Sequence, residues 1–273
     1  RETGNRTYLE RAQFFLDQRG RRPPALDGST YLQDHLPVRE QRDAVGHAVR
    51  ATYLACGMVD VFLETGEEAL WAGVSQLWES AFERKAYVTG GLGSRHEGEA
   101  FGDDYELPND RAYAESCAAI GSVFWNWRML QRHGDARYAD ALERSLYNGV
   151  LAGLSLSGDR YFYVNPLADR GEHQRQPWFD CACCPPNLSR LLMSLPGYLY
   201  SASDEGAWIH LYAAGSVAMT LPDGERLAFR VETRYPWDGA VHVIIDEAPT
   251  VETSLFLRIP GWCAAAEARV RGG

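Results

Sequence analysis

The segment Cys181-Ala182-Cys183-Cys184-Pro185-Pro186 puts three thiols within four positions, the densest potential chemistry in the chain. Thiolates rather than thiols bind soft metals and attack electrophiles, and a helix N-terminus stabilises the anion. Pro185 disfavours a helical Cys184, whereas both prolines suit a first helical turn, so the sulfurs are expected on an extended segment leading into a helix start. Neighbouring cysteines are poorly placed to bridge each other. Metal ligation or nucleophilic attack therefore stands against the plainer alternative of buried small side chains. Zinc takes four N, S or O ligands, so two or three sulfurs from this segment need help from elsewhere. The best source is Ala114-Glu115-Ser116-Cys117. Glu115 and Cys117 would lie on nearly opposite faces of a regular helix, so joint ligation requires an irregular stretch or a first turn.

A second candidate is the glycine-rich run Gly90-Gly91-Leu92-Gly93-Ser94-Arg95-His96-Glu97-Gly98-Glu99-Ala100-Phe101. No Gly-Lys-Ser/Thr follows, and the flanks read helix to loop rather than strand to helix, which removes a phosphate cradle. The glycines allow close backbone approach to a ligand, with His96, Glu97 and Glu99 as acid/base candidates. Asp103, Asp104 and Glu97 are candidate neighbours whose charge would raise the proton affinity of Glu99.

The elements that must carry these groups are helical up to about residue 200. Apolar periodicity predicts helices over Tyr8–Gln18, Asp43–Leu63, Glu67–Glu83, Asn109-Asp110 to His133, Asp135–Leu154, and from Pro185-Pro186 through Leu195. The short turn at Thr65-Gly66 makes the second and third antiparallel neighbours. Beyond Ser201 the period becomes two, predicting strands over 208–212, 227–231, 240–245 and 254–259, and so an antiparallel β-sandwich. Helical hairpins followed by strands imply two domains, residues 1–200 and 201–273.

Composition bounds the function. Of 273 residues, 27 are Lys or Arg and 37 Asp or Glu, a net charge of −10 that disfavours nucleic acid, because phosphate neutralisation needs clustered basic residues. No apolar stretch approaches the roughly 18–20 residues of a membrane span. Six cysteines are too few for a disulfide scaffold. Cys56 sits in an apolar helical pattern and reads as core, and Cys263 has no argued role. The opening Arg1-Glu2-Thr3-Gly4-Asn5 has neither an initiator Met nor a signal-peptide apolar region, and the alternation at Arg269–Gly273 has barely begun, so the chain reads as a fragment or processed product. The expected location is the cytoplasm.

Several segments in order bear a specific resemblance: Val45-Gly46-His47-Ala48-Val49-Arg50-Ala51, Tyr87-Val88-Thr89-Gly90-Gly91, Gly98-Glu99-Ala100-Phe101, Tyr105-Glu106-Leu107-Pro108-Asn109, Tyr113-Ala114-Glu115-Ser116-Cys117, Leu146-Tyr147-Asn148-Gly149-Val150, Cys183-Cys184-Pro185-Pro186-Asn187 and Arg258-Ile259-Pro260-Gly261-Trp262. This set resembles glycoside hydrolase family 127, the zinc-dependent β-L-arabinofuranosidases and their relatives. The resemblance implies an (α/α)6 barrel followed by β-sandwich domains, of which this chain would hold the second half of the barrel and the start of the sandwich. Such a half-barrel, expressed alone, is expected to be inactive or prone to aggregate.

By motif position the resemblance makes Cys183 a nucleophile in place of the usual carboxylate and Glu99 the general acid/base of a retaining hydrolysis. Glu115, Cys117, Cys183 and Cys184 would ligate Zn2+, with Cys181 beside them. His47, Glu143 and Tyr163 would touch the sugar. The implied partner is an arabinose-containing oligosaccharide or glycoconjugate, with a homodimer as the expected assembly. Each reading has an ordinary counterpart: His47 as a capping histidine, Glu143 as a surface pair with Arg144, and Trp125, Trp127 and Trp178 as core rather than sugar-stacking walls. Two rivals share the same residues, a structural zinc module and a non-catalytic sugar-binding protein.

Overall fold

The computed structural model describes residues 3–271. Two compact units, Arg1–Arg190 and Leu191–Gly273, partition the chain.

Six α-helices follow one another before the strands: α1 (Arg6–Gln18), α2 (Ala48–Thr65), α3 (Glu68–Glu79), α4 (Ser116–His133), α5 (Ala136–Arg144) and α6 (Cys184–Ser194). Gly66 ends α2 and Gly134 ends α4, each with its N–H on the carbonyl four residues back, so α2 turns at once into α3 and α4 into α5. α2 also packs on α4, with Met58, Val59, Ile120 and Val123 fully buried. Gly121 allows that approach: a Cβ there would stand 2.1 Å from Thr52 Oγ1.

Several boundaries differ from the sequence-based expectation for physical reasons. α2 starts at Ala48 rather than Asp43, because the His47 side chain caps it by accepting the Val49 N–H at 3.2 Å. α3 continues as a single π turn, Ser80–Arg84, and α5 as another, Ser145–Val150. α4 begins at Ser116, not Asn109-Asp110. The chain before it is irregular, its backbone groups taken by flanking loops: the Tyr113 and Ala114 N–H groups donate to Ser94 and Gly93 carbonyls, and the Tyr113 carbonyl accepts from Asn165. Cys184 is helical despite the following proline. It occupies the first turn, where the missing proline N–H groups cost nothing.

The second unit holds β1 (Tyr200–Ser203), β2 (Gly206–Ile209), β3 (Gly215–Thr220), β4 (Arg226–Thr233), β5 (Val241–Glu247) and β6 (Ser254–Leu257). They form two three-stranded sheets in the orders β1-β2-β6 and β3-β4-β5. The second is an antiparallel meander, but β2 and β6 run parallel, which corrects the purely antiparallel expectation. A parallel pair needs a crossover, and here the whole β3–β5 meander is the crossover. Ala207 and Ile209 from one sheet and Leu227, Phe229 and Val231 from the other share one buried cluster. β1 and β3 escaped the sequence reading because their small and polar residues blur the alternation. The segment 269–271 forms no strand; Arg1, Glu2, Gly272 and Gly273 lie outside the described residues. No helix among the described residues is long and apolar enough to cross a membrane.

Candidate active site

Glu115 sits immediately before α4 with φ −58° and ψ 137°, and makes no side-chain cap bond. Ala114 before it is forced to φ 39°, a left-handed conformation that alanine rarely adopts, with its carbonyl held by Asn165 Nδ2 at 2.8 Å. Glu115 outside the helix and Cys117 in its first turn can therefore turn to one point, the irregular arrangement that joint ligation requires.

The facing wall is the start of α6. The Cys183 carbonyl accepts the Asn187 N–H, so Cys183 stands at the helix cap and Cys184 in the first turn, where the helix dipole favours thiolate. Cys183 Sγ lies 3.4 Å and Cys184 Sγ 3.5 Å from Glu115 Oε1, and the two sulfurs are 3.8 Å apart. The donor atoms of Glu115, Cys117, Cys183 and Cys184 all fall within 4.8 Å of one another, and all four cysteines of the two segments are free thiols.

Burial, reinforced by Cys117 and Glu99, pushes the Glu115 carboxyl up to about 8. A hydrogen bond from Cys184 holds the Cys117 thiol down at about 6. Burial pushes Cys183 up to about 12, and the same bond to Cys117 raises Cys184. Crowding the four groups together thus shifts their proton affinities in opposite directions, down for Cys117 and up for Glu115, Cys183 and Cys184. A divalent cation would reverse that order by binding the deprotonated donors. Glu115 Oε2 is buried with no hydrogen-bond partner, which a protein does not tolerate cheaply. That orphaned oxygen beside three sulfurs fits a soft metal ion.

Glu99 approaches from the glycine-rich loop. Arg95 and Ala100 exchange both backbone hydrogen bonds at 3.1 Å, and Phe101 N–H reaches the Gly46 carbonyl, pinning the loop beside His47. Gly98 (φ 70°) and Glu99 (φ 51°) are both left-handed, which aims the Glu99 carboxylate inward at a cost in strain. Tyr113 donates its hydroxyl to Glu99 Oε1 at 2.7 Å, and His47 Nε2 lies 3.0 Å from Oε2. Because His47 Nδ1 accepts the Val49 N–H, the ring proton resides on Nε2 and is donated to Glu99. Burial lowers the His47 pKa, favouring that neutral form. Asp103 and Asp104 are not the neighbours of Glu99 expected from sequence: they pair with Arg95 and Arg84 at 3.1 and 2.8 Å. His47, Glu99 and Glu115 form a second close group, so Glu115 joins the acid/base candidate to the thiols.

These groups open into a cleft of about 950 Å³. Tyr163 and Cys181 also line it. The Tyr163 hydroxyl accepts from Cys183 Sγ at 3.1 Å and lies 3.9 Å from the Cys181 sulfur. Cys181 is exposed and stands outside the four-donor group. Glu143 is neither a surface charge nor part of the cleft lining: it is buried on α5. Trp125 is core, its ring tilted against Phe82 at 5.3 Å between centroids, and neither Trp127 nor Trp178 lines the cleft. His96 does line it, its ring edge-on to Tyr113.

Sequence reasoning assigned no role to Tyr31, Arg50, Tyr53, Tyr113, Asn187 or Arg190, the first three and last two of which line the cleft. One signal was available: Pro186, Asn187 and Arg190 continue, at helical spacing, the face that begins with Cys183.

A family model described as the GH127 catalytic domain of β-L-arabinofuranosidase matches residues 1–197, and the GH127 middle-domain model matches residues 206–273. A non-reducing end β-L-arabinofuranosidase of Bifidobacterium longum subsp. longum is 36% identical over 96% of this chain and 44% of its own length. Among solved structures, a GH127 β-arabinofuranosidase superposes with a TM-score of 0.91 at 46% identity, covering 96% of this chain and 40% of that one. A GH127 β-L-arabinofuranosidase from Geobacillus stearothermophilus T6 gives 0.91 at 43% identity, covering 96% and 46%. The chain spans less than half the length of these relatives.

Proposed function

Because the chain belongs to the GH127 β-L-arabinofuranosidase family, we propose that it carries the reacting groups of a retaining glycoside hydrolase that removes terminal β-L-arabinofuranose from arabinose-containing glycans. In this reading the helices are the second half of an (α/α)6 barrel and the sheets the start of a β-sandwich domain. The observation that carries the proposal is one cleft holding both a partly exposed Cys183 thiol and the Glu99 carboxylate, backed by Glu115.

Glu115, Cys117, Cys183 and Cys184 would hold zinc, whose sulfur-rich preference matches this donor set. When bound, zinc supplies the positive charge that keeps the sulfurs deprotonated at neutral pH. Cys183 Sγ attacks the anomeric carbon, forming a carbon–sulfur bond as the glycosidic carbon–oxygen bond breaks. Glu99 gives its proton to the departing oxygen. Water then forms the new carbon–oxygen bond, Glu99 takes its proton, and the sulfur leaves as thiolate. Tyr163 can donate to that thiolate, and the α6 N-terminus stabilises it. His47 and Tyr113 hold the two Glu99 oxygens, fixing which lone pair meets the leaving group.

A purely structural metal module would have no use for a ligand sulfur lining an open cleft beside a second, separately clamped carboxylate. The test is turnover of an aryl β-L-arabinofuranoside by the full-length protein with zinc quantified. Release of the aryl alcohol, with zinc near one per chain, supports the proposal; zinc-replete protein without turnover contradicts it.

A further inference from the structure

The cleft holds two arginines, Arg50 and Arg190, that make no ion pair with the Glu99 and Glu115 carboxylates lining it. Arg50 and Tyr53 lie one turn apart on α2, Asn187 and Arg190 one turn apart on α6, and all four line the cleft together with Tyr31. The Arg190 Nη2 donates to the Tyr53 hydroxyl and, at 2.5 Å, to Asn187 Oδ1. Its guanidinium lies 4.8 Å over the Phe124 ring, and that of Arg50 lies 5.3 Å over Tyr31. Neutral anchors of this kind fix a guanidinium in place without cancelling its charge. Neither arginine has a carboxylate partner among the described residues, whereas Arg39, Arg84, Arg95, Arg128 and Arg132 are each paired.

We infer that this wall is a subsite for a carboxylate-bearing sugar, a hexuronic acid residue on the aglycone side of the arabinofuranose. The inference rests on the glycosidase reading above. A planar guanidinium with five N–H donors is the side chain best matched to a carboxylate, and two of them on one wall, in a chain of net charge −10, mark a local reversal of the molecule's field. The tyrosines favour a sugar over a free anion, since their rings offer apolar surface and their hydroxyls polar contacts along the same wall. Size agrees: about 950 Å³ is near the upper end of the roughly 300–1,000 Å³ of small-molecule sites, which leaves room beyond one pentose.

The test compares full-length protein on β-L-arabinofuranosyl hexuronic acid and on its uncharged uronamide. The expected kcat/KM ratio favours the acid by roughly tenfold at low salt, because the charge-assisted contact is lost with the amide. It should shrink as sodium chloride is added, and collapse toward one in both Arg50→Gln and Arg190→Gln. Equal rates on the two substrates, or a ratio that survives both substitutions and high salt, would overturn the subsite while leaving the glycosidase reading intact. Cleavage of neither substrate would overturn that reading and the subsite with it.

Discussion

Glu99 and Glu115 are the two carboxylates facing the thiols, and their surroundings separate their roles. Glu115 is buried, keeps one oxygen without a partner and is pushed to about 8, the setting of a candidate metal donor. Glu99 is clamped on both oxygens by neutral donors and opens to the cleft, the condition of a group that exchanges a proton with substrate. Glu99→Gln should therefore slow turnover of substrates with poor leaving groups by about 10²–10⁴-fold while zinc content stays normal; loss of zinc would refute the division. Glu115→Gln should do the opposite to the metal, leaving zinc well below one per chain by elemental analysis. The crowded thiols stood out in the sequence by residue type and spacing, and Glu115 by its nearness to Cys117, whereas Glu99 was set apart from His96 and Glu97 only by the resemblance to family motifs. Tyr31, Tyr53 and Arg190 were not, since each is an ordinary helix or loop residue until α2 and α6 meet at one cleft. Glu143 shows the converse, a motif position that packing buries in α5 away from the cleft lining.

At the scale of elements, the helices were readable from their apolar period, and their ends were not. The expected start of α4 at Asn109 rested on good capping residue types, but lateral bonds to residues 93–94 and 165 keep 113–114 out of the helix, and the irregular path that results puts Glu115 beside the sulfurs. The α2–α4 contact depends on one missing methyl. Gly121→Ala would drive a Cβ into Thr52, and should destabilise the first unit by about 1–3 kcal/mol in denaturant unfolding. Pairing it with Thr52→Ala should restore much of the loss; no recovery would mean that the close approach is not the cause. In the second unit, burial pushes His210 down to about 4, with its Nε2 2.7 Å from Ser201 Oγ. The unfolded state therefore takes up the proton first as pH falls below about 6.5. Stability should drop between pH 6.5 and 4, by up to about 3 kcal/mol, and the slope should flatten in His210→Gln. Equal unfolding midpoints of that unit at pH 7 and pH 4.5 would contradict this.

For the whole molecule, the four candidate metal donors fall in the unit Arg1–Arg190, so on the proposed reading the two units should answer differently to metal. Chelation should lower the unfolding temperature of the first unit by several degrees and leave the second unchanged, because a ligand stabilises only the fold that binds it. A common shift would argue against a site confined to one unit. The net charge of −10 leaves the two arginines of the cleft as a local exception, the one on which the proposed hexuronic acid subsite is built. The parallel β2–β6 pair was beyond sequence pattern, since alternation marks a strand but not the direction of its partner. The central claim is that sulfur, not a carboxylate, attacks the sugar. Its direct measurement is peptide mass spectrometry of full-length Glu99→Ala protein after exposure to an aryl β-L-arabinofuranoside with a good leaving group, which allows attack but slows release. One pentosyl unit on Cys183 is the predicted result; turnover with no adduct, or an adduct on a carboxylate, would contradict it.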